Sequence, residues 1–336
     1  MPLAAATHLR HHRGVRFVEV DGVRVSVIGL GTWQFGSSDW GYGDDYARRE
    51  AGAIVERALD LGVNLIDTAE AYAYGRSERI VGAAIRDRRD DVFLATKVFP
   101  VLPIAPVVRQ RARASARRLG VEAIDLYQVH WPNPIVPNGP TMDGMRTLLE
   151  EGLVRHVGVS NFPLGRWEGA ERVLGRPVLS NQVQYSLAQR KPERELLPYA
   201  QRAGRLVIAY SPLAQGLLSG RYDGTNPPRG WVRRTNALFL PENLARAGDL
   251  LEGLRDLART HDATPAQVAL AWVIRRPNVV AIPGASSVAQ LEANVAAADL
   301  ELSEDDDARL TAAADRFAPR TGPITFPALA RAAIGH

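Results

Sequence analysis

Eight short apolar runs recur along the chain, at about 27–31, 63–67, 92–96, 124–130, 154–159, 178–183, 206–210 and 278–282, with amphipathic stretches between them. The runs are rich in valine, isoleucine and leucine and are almost uninterrupted by polar residues, as expected of parallel strands covered on both faces. The intervening segments have the helical period. Ala51, Ile54, Val55, Ala58 and Leu59 follow i, i+3, i+4, i+7 and i+8, one buried stripe. Thr264-Pro265-Ala266-Gln267 combines an N-cap, a first-turn proline and a glutamine at the third position. Repeated strand–helix units require a parallel sheet, and eight of them predict an α/β fold of the (β/α)8 TIM-barrel type, whose functional groups gather at the C-terminal ends of the strands. A doubly wound sheet would need a glycine fingerprint after its first strand. Gly29-Leu30-Gly31-Thr32-Trp33-Gln34 lacks the third glycine and no helix begins there.

Around this frame, Val15–Val20 and Val23–Val27 alternate about Asp21-Gly22, which predicts an N-terminal β-hairpin plugging the barrel. Residues 1–14 are expected to be a flexible tail, 15–320 a single barrel domain and 321–336 a C-terminal tail. The stretch 211–262, between the seventh and eighth strands, is too long for an ordinary loop; an extra helix is expected near 242–261, after a Pro- and Gly-containing loop over 220–241.

Composition narrows the function classes. The 41 basic residues are set against 37 acidic ones along the whole length, and runs such as Arg86-Asp87-Arg88-Arg89 are interrupted by acids, so they read as solvated helix faces and no nucleic-acid partner is expected. The absence of cysteine excludes disulfides, thiolate metal sites and a thiol nucleophile. No stretch approaches the roughly 18 apolar residues of a membrane span, and the first 13 residues lack the apolar core of a signal peptide, so a cytoplasmic protein without a membrane partner is expected. His8, His11 and His12 have no nearby acid or cysteine and read as a solvated tail rather than a metal site.

Three successive strand runs end in polar side chains of complementary chemistry. The first delivers Asp67 and, five residues later, Tyr72; the next delivers Lys97; the third delivers His130. In a parallel barrel all four meet on one rim. A free phenol titrates near pH 10, and a neighbouring ammonium is expected to lower that value. Lys97 would supply the charge, Asp67 would hold Lys97, and His130 would bond the oxygen that Tyr72 protonates, a set suited to carbonyl reduction. A barrel glycosidase would need paired carboxylates, and Asp67 has only Glu70 on its own short loop.

At these residues the chain resembles the aldo-keto reductase superfamily. The matching pieces are Asp67-Thr-Ala-Glu-Ala-Tyr72 with Gly75-Arg-Ser-Glu78, Lys97, Asp125-Leu-Tyr-Gln-Val-His130, Gly158-Val-Ser-Asn161, Asn181-Gln182, Tyr210-Ser-Pro-Leu-Ala-Gln-Gly216 and Ile282-Pro-Gly-Ala-Ser286, in the family's order. The resemblance implies reversible reduction of an aldehyde or ketone, a small-molecule carbonyl substrate, with NADPH as cofactor and NADH as the alternative, and Tyr72 as general acid.

It also implies cofactor contacts: Gly29, Gly31, Thr32 and Trp33 beside the cofactor; Asp67; Ser160, Asn161 and Gln182 on the nicotinamide with Tyr210 stacked against it; Ser211, Leu213, Gln215 and Arg221 at the pyrophosphate; and Gly284, Ser286, Gln290 and Asn294 at the adenosine end. The plainer reading of Ser160-Asn161 is a helix N-cap. Gly284 and Gln290 are neutral where many members carry a cation for the 2′-phosphate, a role left to Arg229, Arg233 or Arg234. Ala73 stands in place of the usual glycine, and Ser38–Asp45 form a polar and aromatic first loop; both bear on substrate choice. Substrate-pocket candidates are Trp33, Tyr42, Tyr72, Phe99, His130, Trp131 and Trp231. A second implication is an NADP(H)-binding regulatory subunit like potassium-channel β subunits, with little turnover. Oligomeric state is not legible.

Overall fold

The computed structural model describes residues 10–12, 15–36, 46–223, 226–228, 231–322, 325 and 328–329. Tyr42, the loop 38–45, Arg229, residues 1–9 and most of 321–336 lie outside the described residues. Strands β2 (Val15–Val20) and β3 (Val23–Ser26) form the expected hairpin, with Val20 opposite Val23. Asp21 and Gly22 both take positive φ, 51° and 76°, the requirement of a tight turn that matches strand twist. A three-residue strand, β1 (Arg10–His12), extends this sheet antiparallel to β2. Asn64 fastens the hairpin just ahead of the second barrel strand: its Oδ1 accepts from Ser26 N at 2.8 Å and its Nδ2 donates to Arg24 O at 2.8 Å.

The barrel comprises β4 (Leu30–Gly31), β5 (Leu65–Asp67), β6 (Phe93–Val98), β7 (Ile124–Val129), β8 (Val154–Ser160), β9 (Ser180–Gln184), β10 (Leu206–Tyr210) and β11 (Val279–Ala281), each hydrogen-bonded to its neighbour in chain order. All of these pairings are parallel. The cylinder closes where Gly29 N donates to Ala281 O and Ala281 N to Val27 O, both at 2.8 Å. Every apolar run of the sequence holds one of these strands.

Helices α1 (Ala51–Asp60), α2 (Arg76–Ala84), α3 (Ala105–Leu119), α4 (Asn138–Glu150), α5 (Leu164–Leu174) and α6 (Leu196–Ala203) alternate with the strands, and α1 buries the five residues its period singles out. Between β10 and β11 lie α7 (Trp231–Arg234), α8 (Pro241–Arg246), α9 (Gly248–Thr260) and α10 (Pro265–Ile274), with α11 (Val288–Ala296) and α12 (Glu304–Arg316) following. The helix expected near 242–261 is thus two, parted at Ala247. Buried Asn243 in α8 donates to Ala237 O and Arg320 O, which ties α8 to the chain after α12. The capping box at Thr264 forms as its spacing predicts. No helix among the described residues is long and apolar enough to cross a membrane.

Candidate active site

Asp67 ends β5, Lys97 lies near the end of β6, and His130 follows β7, its N–H donating to Val98 O. Tyr72 opens a turn in which Ala73, Tyr74 and Gly75 all take positive φ, at 46°, 54° and 78°. Of this left-handed run, only Gly75 adopts the conformation without side-chain strain. Lys97, with no exposed surface, spends its three ammonium protons on Asp67 Oδ1 at 2.6 Å, Thr68 O at 2.8 Å and Tyr72 OH at 3.1 Å. The other Asp67 oxygen accepts from Gln182 Nε2 at 2.7 Å and Gln128 Nε2 at 3.3 Å. A buried ion pair persists only when its remaining donors and acceptors are satisfied, and here they are.

The electrostatics follow from this enclosure. Burial alone would push the Lys97 ammonium down, but Asp67 and then Tyr72 hold it above its ordinary value, so Lys97 is charged. Lys97 lowers the Tyr72 phenol as expected, but the net shift is upward. The ring is partly open to the cavity, yet desolvation of the hydroxyl outweighs the Lys97 charge, Asp67 adds to it, and the phenol is raised. Tyr72 therefore keeps its proton at neutral pH. Burial, with the Lys97 charge added, pushes His130 down to about 3, leaving a neutral imidazole; its Nδ1 has no hydrogen-bond partner among the described residues.

A cavity of about 650 Å³ opens over Tyr72 and runs along the rim to α11. Gly31, Thr32, Trp33, Asp67, Tyr72, His130, Trp131, Ser160, Asn161, Gln182, Tyr210, Ser211, Leu213, Gln215, Gly284, Ser286 and Gln290 all line it. Ser160 and Asn161 do not cap a helix; Pro163 occupies that position. Instead Ser160 Oγ donates to Gln182 O at 2.9 Å, Asn161 Nδ2 donates to Ser160 Oγ at 2.9 Å, and Asn161 Oδ1 accepts from Tyr210 OH at 3.0 Å. Asp67 and Arg233 are the charged side chains among the described lining residues, and Arg233 Nε donates to Gln215 O at 2.9 Å.

Seven of the described sequence-predicted residues, Gly29, Lys97, Phe99, Arg221, Trp231, Arg234 and Asn294, do not line the cavity. Lys97 lies beneath Tyr72. Asn294, buried, donates to Gly284 O at 3.3 Å and so acts on the wall from behind. Phe99 stands edge-on to His130, centroids 6.0 Å apart. Arg221 is exposed.

Sequence reasoning missed Gln34, which lines the cavity and, with Tyr46, donates to Ala285 O, at 3.0 and 2.7 Å. No local pattern links residues 251 apart. It also missed Gln128 as a partner of Asp67; the one signal is an amide within a strand run.

The chain was compared with known proteins. Residues 27–315 match the family model described as Aldo/keto reductase family. An uncharacterized oxidoreductase of Mycobacterium tuberculosis is 57% identical over 306 residues, covering 91% of this chain and 94% of that protein. The crystal structure of an aldo/keto reductase from Klebsiella pneumoniae in complex with NADP and acetate superposes with a TM-score of 0.73 at 33% identity, covering 90% of this chain and 95% of that one. The glycerol dehydrogenase structure from Gluconobacter oxydans gives a TM-score of 0.82 at 28% identity, covering 92% of this chain and 98% of that one. Matched along almost its whole barrel by the family model, the chain belongs to the aldo/keto reductase family.

Proposed function

We propose that the protein reduces an aldehyde or ketone to the alcohol with NADPH, NADH serving as the alternative donor, and that Tyr72 is the general acid. The observation that carries this reading is the buried Lys97 ammonium, locked by Asp67 and donating to a Tyr72 hydroxyl beside a neutral His130 in the cavity wall. The donor set fits a dinucleotide. Ser160, Asn161 and Gln182 offer hydroxyl and amide groups for a carboxamide, Tyr210 a flat face beside them, and Ser286 and Gln290 stand at the N-terminal end of α11, where anions are favoured. Ser211, Leu213 and Gln215 would meet the pyrophosphate and Gly284 the adenosine end, with Arg233 the guanidinium among the described lining residues. Gln290 is engaged by Ser286, whose N–H and hydroxyl both donate to its Oε1, so a 2′-phosphate would find no cation on that segment; this supports use of NADH as well.

When bound, the cofactor supplies hydride. The protein's own part is to orient the carbonyl between Tyr72 and His130, to exclude water with Trp33 and Trp131, and to deliver the Tyr72 proton to the carbonyl oxygen while Lys97 stabilises the phenolate left behind. The same residues serve alcohol oxidation in reverse, and the glycerol dehydrogenase neighbour supports that direction. The test is NADPH and NADH oxidation with aromatic, aliphatic and sugar-derived carbonyls, wild type beside Tyr72→Phe, with cofactor binding measured separately. Tyr72→Phe should lose about 10²–10⁴-fold in kcat/KM. Tight NADPH binding with no turnover of any carbonyl or alcohol would replace this reading with the regulatory-subunit one.

A further inference from the structure

Phe99 has its peptide held by an ion pair rather than by a neighbouring strand. β6 ends at Val98, so the Phe99 N–H and C=O fall beyond the ladder. The N–H donates to Glu70 Oε1 at 2.6 Å, and the C=O accepts from Arg111 NH1 at 2.8 Å and from Val101 N at 2.9 Å. Glu70 and Arg111 pair with each other, Arg111 Nε lying 2.9 Å from Oε1 and 3.1 Å from Oε2. The Glu70 side chain is only 9% exposed, and Glu70 N–H also donates to Lys97 O. One pair therefore ties together the loop that leads to Tyr72, the end of the strand that carries Lys97, and α3. Charge-assisted bonds in such an enclosed place fix geometry more firmly than neutral ones. What they fix is an aromatic ring just outside the cavity lining, 40% exposed and edge-on to His130, which does line it.

We propose that Glu70 and Arg111 are positioning residues that hold Phe99 as the outer wall of the substrate mouth, so that this pair sets the discrimination between bulky apolar and small carbonyl substrates. The inference rests on the reductase reading. Glu70 touches none of the reacting groups; it acts through the Phe99 peptide. A purely structural role would depress turnover of every substrate alike and would add to the loss caused by removing Phe99.

The experiment measures kcat and KM for benzaldehyde and propanal in wild type, Glu70→Ala, Glu70→Gln, Phe99→Ala and the double variant Glu70→Ala/Phe99→Ala. The kcat/KM ratio of benzaldehyde to propanal should fall about 10-fold in Glu70→Ala, mainly through KM. It should fall by no more than about 3-fold in Glu70→Gln, which keeps an acceptor for the Phe99 N–H. Phe99→Ala should match Glu70→Ala, and the double variant should match Phe99→Ala to within about 2-fold. Arg111→Lys, which loses the fork but keeps the charge, carries the same comparison if Glu70→Ala does not fold. An equal loss for both aldehydes, or losses that multiply in the double variant, overturns the proposal while leaving the reductase reading intact. A wild type inert to both aldehydes and to the wider carbonyl panel overturns the reductase reading, and this proposal with it.

Discussion

The barrel holds two buried acids on the strands that flank β6, and their surroundings differ. Asp67 closes β5 at the C-terminal rim, while Asp125 is the second residue of β7, towards the opposite end. Asp125 Oδ2 accepts from Arg89 NH2 at 2.6 Å and from Leu94 N at 2.9 Å, and Oδ1 accepts from Arg155 NH1 at 2.5 Å. By taking a backbone N–H of β6, Asp125 pins the start of the β6–β7 register, which further along sets Lys97 opposite Gln128. Both acids are paired and enclosed; the difference lies in the cation. Arg155 is 59% exposed and Arg89, 22% exposed, gives its other bonds to backbone carbonyls, whereas Lys97 is wholly buried and passes a hydrogen bond on to Tyr72. Burial of an acid at a strand end therefore does not mark function. Under the proposed mechanism, what distinguishes Asp67 is a wholly buried cation that also bonds a hydroxyl in the cavity wall.

Lys97→Met should break that contrast most severely. It leaves Asp67 buried with only its two glutamine donors, and stability should fall by about 3–5 kcal/mol in urea unfolding. Activity should fall at least about 10²-fold in kcat/KM, because the Tyr72 phenolate loses its counter-charge. Retained activity in a folded Lys97→Met protein would remove the distinction between the two acids.

His130 sharpens the comparison through pH. Its folded value is about 3 against roughly 6.5 unfolded, so the unfolded chain binds more protons between these limits. Its contribution is fully present above about pH 6.5 and is lost as pH falls towards 3, with a slope of up to about 1.4 kcal/mol per unit and a few kcal/mol in all, since the ring is partly exposed. Urea unfolding of wild type and His130→Gln at pH 4, 5, 6 and 7 should show the slope reduced in the variant. The rate profile of wild type should carry no step near pH 6.5 from this residue. An equal slope in both proteins would mean that His130 titrates like an exposed histidine.

The sequence made the rim legible for a physical reason. Strands buried on both faces read as apolar runs, so their ends, and with them Asp67, Lys97 and His130, could be placed without contacts. What the runs hide is which way each side chain points and what lies across the barrel. Asp125 sits inside such a run as visibly as Asp67 ends one, and nothing local separates their roles. Arg89, read as part of a solvated basic stretch, reaches Val92 O, Ala123 O and Asp125. The rise of Tyr72 depended on depth of burial, which no spacing encodes. The hold of Gln34 on Ala285 joins the loops after the first and last barrel strands, and a single sequence carries no mark of it.

The smallest expected effects lie at the Asp125 end. Asp125→Asn turns one acceptor oxygen into a donor facing donors already in place, and should cost about 1–3 kcal/mol of stability. Arg155→Ala removes a half-exposed partner while Arg89 and the Leu94 N–H remain, so its cost should stay below about 1 kcal/mol and shrink further with added salt. Neither should change kcat/KM by more than about twofold, because the register stays held by the rest of the β6–β7 ladder and the sites are separate. Thermal unfolding at low and high salt beside steady-state kinetics checks both. If Asp125→Asn costs activity as heavily as Lys97→Met does, then the register it pins is what places Lys97 under Tyr72, and the two acids belong to one functional unit rather than two.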